Sequence, residues 1–137
     1  MKWRMRVACI SMTVLAGCVN ALGTHQVTGQ ARPSTSASDV VLYVTAPAGA
    51  VVIGQVASRS TIFGSDEVKT EYALERLKDE AAEVGANGIV LQAPPGTALG
   101  KRPGIVVQPD QLAAFVGKQD HDAVFSGTAI WVPGLKP

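Results

Sequence analysis

Residues 67–91 constrain the fold of this chain more than any other stretch. Ala73, Leu74, Leu77, Ala81 and Val84 recur at helical spacing and fall within one face about 100° wide, so Glu67 to Val84 predicts an amphipathic helix. Ser65 or Asp66 supplies a cap at its start, and Glu67 sits favourably at the positive end of the helix dipole. Gly85 suits the left-handed position that commonly ends a helix, and Asn87-Gly88 completes the turn. Ile89 to Ala93 then reads as a strand. A helix with one apolar stripe that runs so directly into a strand lays that stripe on the sheet.

The other elements follow from the same rules. Val40 to Thr45 and Ala50 to Ala57 are rich in β-branched residues and read as strands. The Pro47-Ala48-Gly49 turn between them predicts a hairpin, with Gly54 marking a bulge. Pro94 to Gly104 is a loop by composition, and Ile105 to Val107 reads as a short edge strand. Asp110 caps a short helix through Leu112 to Val116, stopped by Gly117. Ala123 to Val132 is apolar on both alternating faces, the mark of an interior strand. The expectation is one α+β domain over 39–137, a small antiparallel or mixed sheet covered by one main helix at about 67–84.

The chain begins differently. Lys2, Arg4 and Arg6 precede Val7 to Gly17, a run with no charge. A permanent span needs about 20 apolar helical residues, so this shorter run has the form of a secretory signal peptide. Its end, Leu15-Ala16-Gly17-Cys18, resembles the lipobox of bacterial lipoproteins. That resemblance implies cleavage of residues 1–17, lipid on Cys18, and attachment to the membrane of the bacterial envelope. Enterobacterial lipoproteins with Asp directly after the cysteine stay in the inner membrane; Val19 here implies the outer membrane, with the domain facing the periplasm.

Residues 18–38 follow as the lipidated cysteine and a flexible tether. Small polar residues with Gly and Pro bury too little to offset the entropy of ordering. His25 lies in this tether and is expected to be inert.

Ala73 to Leu91 also resembles the helix–Gly-Ala-Asn–strand pattern of the YbjQ and RcsF-like superfamily, with Val51 to Val56 and Ser126 to Ile130 as its other strands. The likeness covers roughly 40–93 and 124–132, and it implies an envelope lipoprotein of the stress-sensing kind. RcsF is held by disulfides, whereas the domain here has no cysteine, so no redox device carries over.

Chemistry is sparse. His121 is the only histidine of the expected domain, leaving Ser58, Ser60 and Ser126 little choice of base. On an extended strand Asp120 and Asp122 face away from His121, so no metal is expected there. Gly96 to Arg102 lacks the glycine spacing and the hydroxyl of a phosphate loop. The net charge is +1, and removal of residues 1–17 leaves 9 basic against 11 acidic side chains, which argues against nucleic acid. Neither catalytic residues nor a cofactor beyond covalent lipid is expected.

Two surfaces remain for a partner. Glu71, Glu75 and Asp79 form part of an acidic ridge on the outer helix face, and Lys101 with Arg102 stands in the 94–104 loop. The expected function is a non-enzymatic lipoprotein that binds another envelope protein, as a stress sensor or assembly accessory. The alternative is a periplasmic small-ligand or metal-binding module.

Overall fold

A computed structural model describes residues 21–97 and 106–135. Six strands form one mixed sheet: β1 (Ala21–Val27), β2 (Val41–Tyr43), β3 (Val51–Ser60), β4 (Gly88–Leu91), β5 (Gly117–Gln119) and β6 (Asp122–Trp131). Their order is β1-β3-β6-β4-β2, with β5 paired to β6 beside β4. One long helix, α1 (Asp66–Glu83), covers a face of this sheet, and a 3-10 helix at Pro109–Phe115 packs beside it. The α+β architecture follows the hydrophobic period read from the sequence.

The helix starts where the capping pattern put it. Ser65 is extended, and its hydroxyl accepts from Val68 N–H at 3.4 Å. Ala73, Leu77, Ala81 and Val84 are buried against Ile53, Val56, Ile89, Phe125 and Ala129, while Glu71, Glu75 and Asp79 face water. Gly85 ends the helix at φ +83°, and a Cβ there would meet the Arg32 backbone. Asn87 does more than turn the chain. Its side-chain amide donates to Val132 C=O at 2.8 Å and accepts from Val132 N–H at 2.7 Å, which ties the turn to the far end of β6.

β6 is interior as expected, flanked by β3 along one side and by β5 and β4 along the other. The register of β3 shifts between Val52 and Gly54, the bulge expected at Gly54. The short helix runs Pro109–Phe115 and buries Phe115, but its cap is Gln108 and not the expected Asp110: Gln108 and Gln111 form a reciprocal capping box, and Asp110 lies inside the first turn. Of the expected 105–107 edge strand, Val106 makes one bridge to Tyr43, and Val107 N–H donates to Leu42 C=O at 2.9 Å.

Two expectations fail. The hairpin of 40–45 with 50–57 is absent: β2 pairs in parallel with β4, and β3 pairs with β1 and β6. Val41, Tyr43 and Ala50 instead close a second apolar cluster with Ile130 and Val132, opposite the helix by the alternation along β6. The tether over 18–38 and the domain boundary at 39 also fail where the chain is described. Ala21–Val27 is an edge strand antiparallel to β3, and the chain after it wraps the end of α1. Arg32 N–H donates to Val84 C=O at the helix end, and Thr35 N–H joins Gly85 N–H as a second donor to Ala82 C=O. Polar residues suffice for this, because the backbone makes the bonds.

Candidate functional site

The recovered strand β1 builds one of two notable sites. Gly23 and His25 of β1 face α1, as their pairing with the inward residues Ser58 and Val56 of β3 requires. Gly23 leaves open the space taken by the Glu80 and Arg76 side chains, which a Cβ there would strike. His25, the next inward residue, reaches Glu80. The Glu80 side chain is only 3% exposed, although it lies on the helix that carries the acidic ridge.

Each oxygen of Glu80 has a cationic or hydrogen-bonding partner. His25 Nδ1 lies 2.6 Å from Oε2, and Arg76 Nη2 lies 2.6 Å from Oε1. Glu83 stands at the rim, 3.8 Å from the same imidazole nitrogen. This is how a buried carboxylate becomes tolerable: charge and hydrogen bonds replace the water it lost. His25, Glu80 and Glu83 also bring one nitrogen and two carboxylate oxygens within 4.8 Å of one another. These are the described residues best placed to hold a metal ion, but Arg76 already balances Glu80, so an ion entering there would compete with the guanidinium.

The expectation of an inert His25 is therefore corrected. The sequence did contain one signal: Arg76 and Glu80 stand four apart, and Glu80 falls on the stripe of Ala73, Leu77, Ala81 and Val84. What it lacked was the strand that covers them.

His121 has no comparable role. It sits at φ +70° in the exposed turn between β5 and β6, where its carbonyl accepts from Lys69 Nζ at 2.8 Å. Asp122 and Asp120 pair with Arg59 at 2.6 and 3.7 Å. The Ser58 hydroxyl donates to Ala73 C=O at 2.5 Å, and Ser60 Oγ is buried without a hydrogen-bond partner. Among the described residues, no serine hydroxyl is hydrogen-bonded to a histidine.

The second site is a groove of about 540 Å³ between the first two turns of α1 and the 3-10 helix. Leu74, Leu112, Ala113 and Val116 make its apolar floor, and Asp66, Glu67, Glu71 and Lys118 line its polar side. Lys118 Nζ lies 2.5 Å from Asp66 Oδ2, which holds the Asp66 carboxyl below its ordinary range. The Ser65 hydroxyl and the Glu67 backbone do the same for Glu67, so both carboxylates stay ionised at neutral pH. Of the expected partner residues, Glu71 lines the groove, and Glu75 and Asp79 continue its exposed side of the helix. Cys18, Lys101 and Arg102 lie outside the described residues.

No protein family and no curated protein matches this chain. A solved structure, the Francisella virulence factor FvfA in its orthorhombic form, is 18% identical, covers 80% of this chain and 96% of its own, and superposes with a TM-score of 0.48. Among the described residues no helix is long and apolar enough to cross a membrane.

Proposed function

We propose that this chain is a non-enzymatic envelope lipoprotein, anchored at Cys18, whose periplasmic domain captures a protein partner in the groove between α1 and the 3-10 helix. The observation that carries this reading is an apolar floor bordered by ionised carboxylates. That combination suits a segment with apolar side chains and a lysine or arginine beside them: the floor supplies affinity, and the carboxylates set orientation. The lipobox and the likeness to RcsF-like proteins support an envelope setting, with stress sensing or assembly as the task. Confinement to one membrane raises the local concentration of both partners, so a weak contact is enough.

A photo-cross-linking residue at exposed Ala113 tests this in intact cells. A discrete adduct is expected, and it should vanish in the Glu67→Lys/Glu71→Lys double variant while the domain stays folded. An adduct unaffected by that charge reversal, or none with Ala113 replaced, would overturn the groove as the binding surface. Fatty-acid labelling lost in Cys18→Ser tests the anchor separately.

A further inference from the structure

At the end of the sheet where β1 begins, the surface is unusually apolar. Ala21 pairs with Ser60, and the chain leaves Ser60 directly into the 61–64 loop. In that loop Phe63 is 104% exposed. Ile62 and Phe63 adjoin Val68 and Tyr72, which stand one helical turn apart on α1 and are 39% and 47% exposed. Leu22, beside Ala21, adds another exposed apolar side chain.

Charge does not explain this end of the molecule. Lys69 is taken up by the His121 carbonyl, Lys118 by Asp66, and Arg59 by Asp120 and Asp122. Glu67 and Glu71 line the groove on the other side of the same helical turns, and the side chains turned toward the 61–64 loop are apolar and aromatic.

The chain upstream of β1 says what covers it. Cys18 stands three residues before Ala21, and three backbone steps reach at most roughly 11 Å. A lipid on Cys18 therefore places the bilayer surface at this end of the sheet. Val51, exposed at the other end of β3, is roughly 30 Å away along the strand. We infer that the 61–64 loop, with Val68 and Tyr72, is a second membrane contact that dips Phe63 into the lipid beside the Cys18 anchor. The inference rests on Cys18 being the lipidated residue. Phe63 supplies an apolar wedge, and Tyr72 the aromatic group with a polar tip that suits the interface. The domain then stands on the membrane in one orientation, with a strand in place of a tether.

The test uses the full chain expressed in bacteria. Purified lipidated protein is reconstituted into phosphatidylethanolamine–phosphatidylglycerol vesicles with brominated acyl chains. Trp131, partly buried at the far end of the sheet, gives the wild-type baseline, and Trp3 leaves with residues 1–17. Phe63→Trp should add a blue-shifted emission that the bromines quench, unchanged by added salt, and Tyr72→Trp should be quenched less. Val51→Trp should not be quenched. Absence of quenching in Phe63→Trp overturns the inference, as does a blue shift without quenching, which would place Phe63 against protein. Fatty-acid labelling of the wild type against Cys18→Ser separates the two readings. Labelled but unquenched protein sinks the membrane contact alone, whereas unlabelled wild type sinks the anchor and the contact with it.

Discussion

The unit from Asp66 to Leu91 and the segment from Ala21 to Ser36 are both packed into the same domain, yet different forces hold them. The first buries side chains: Leu77 and Ile89 are fully inaccessible, and their spacing repeats with the helix and the strand. The second buries almost no apolar side chain and is held through its backbone. β1 pairs along β3, and Thr28, Gly29, Arg32 and Thr35 donate their N–H groups to carbonyls of Ile53, Val84 and Ala82. Its side chains add a few polar contacts, His25 on Glu80, Thr35 Oγ1 donating to Ala86 C=O at 2.6 Å, and Arg32 stacked 4.1 Å over Trp131. A segment can thus belong to a domain without carrying a hydrophobic pattern.

Removing the second region is the strongest way to break this comparison. A chain begun at Asp39 strips β3 of its outer neighbour and leaves Glu80 without His25. It should lose most of a total stability of about 5–15 kcal/mol. Thermal melts followed by circular dichroism check this against the full-length chain. An unchanged, cooperative melt would return 18–38 to the role of a tether.

The first region has its own measure. Leu77→Ala should destabilise the domain by about 2–5 kcal/mol in urea unfolding, because the side chain is fully buried between helix and sheet. A smaller loss would mean that the helix is held less by its stripe than by the chain wrapped around its end.

The junction between the regions gives a smaller effect. His25→Ala should cost about 1–3 kcal/mol, since it leaves one oxygen of a buried carboxylate without its partner. Glu75→Ala, on the exposed face of the same helix, should stay within about 0.5 kcal/mol of wild type. Equal, negligible effects would mark the His25–Glu80 contact as incidental.

The smallest effect is a titration. The folded Asp66 carboxyl lies below its ordinary value, first because of the Lys118 hydrogen bond and then because of the Lys118 charge. Such a group contributes stability that is present above the unfolded carboxylate pKa of about 3.9 and lost as pH falls through the lower folded value. Lys118→Ala should move the Asp66 titration upward in a carboxyl NMR experiment, with little change in the melt near neutrality. An unmoved titration would remove Lys118 from the groove's electrostatics.

Legibility in the sequence followed the same division. The helix, its Ser65 cap, the Gly85 stop and the interior strand β6 were readable because each has a local pattern of side chains. β1 was not: Leu-Gly-Thr-His-Gln-Val resembles a linker, and as an edge strand it packs only one face on the protein. The expected hairpin rested on the Pro47-Ala48-Gly49 turn, and a short turn joins two strands without fixing which neighbours they pair with. At the groove, Glu71 was readable as an exposed acid, but Leu74 and Leu112 are brought together only by packing.

By itself the sequence determined that an amphipathic helix would lie on a sheet with an apolar central strand, because hydrophobic period depends on local backbone geometry and needs no partner to be read. Tertiary structure alone decided that the segment before residue 39 belongs to the domain, that Glu80 is buried, and that His25 meets it. Those outcomes depend on backbone hydrogen bonds and on a charge cluster between segments 55 residues apart. Every residue carries the same backbone donor and acceptor, so no residue type announces where they will pair.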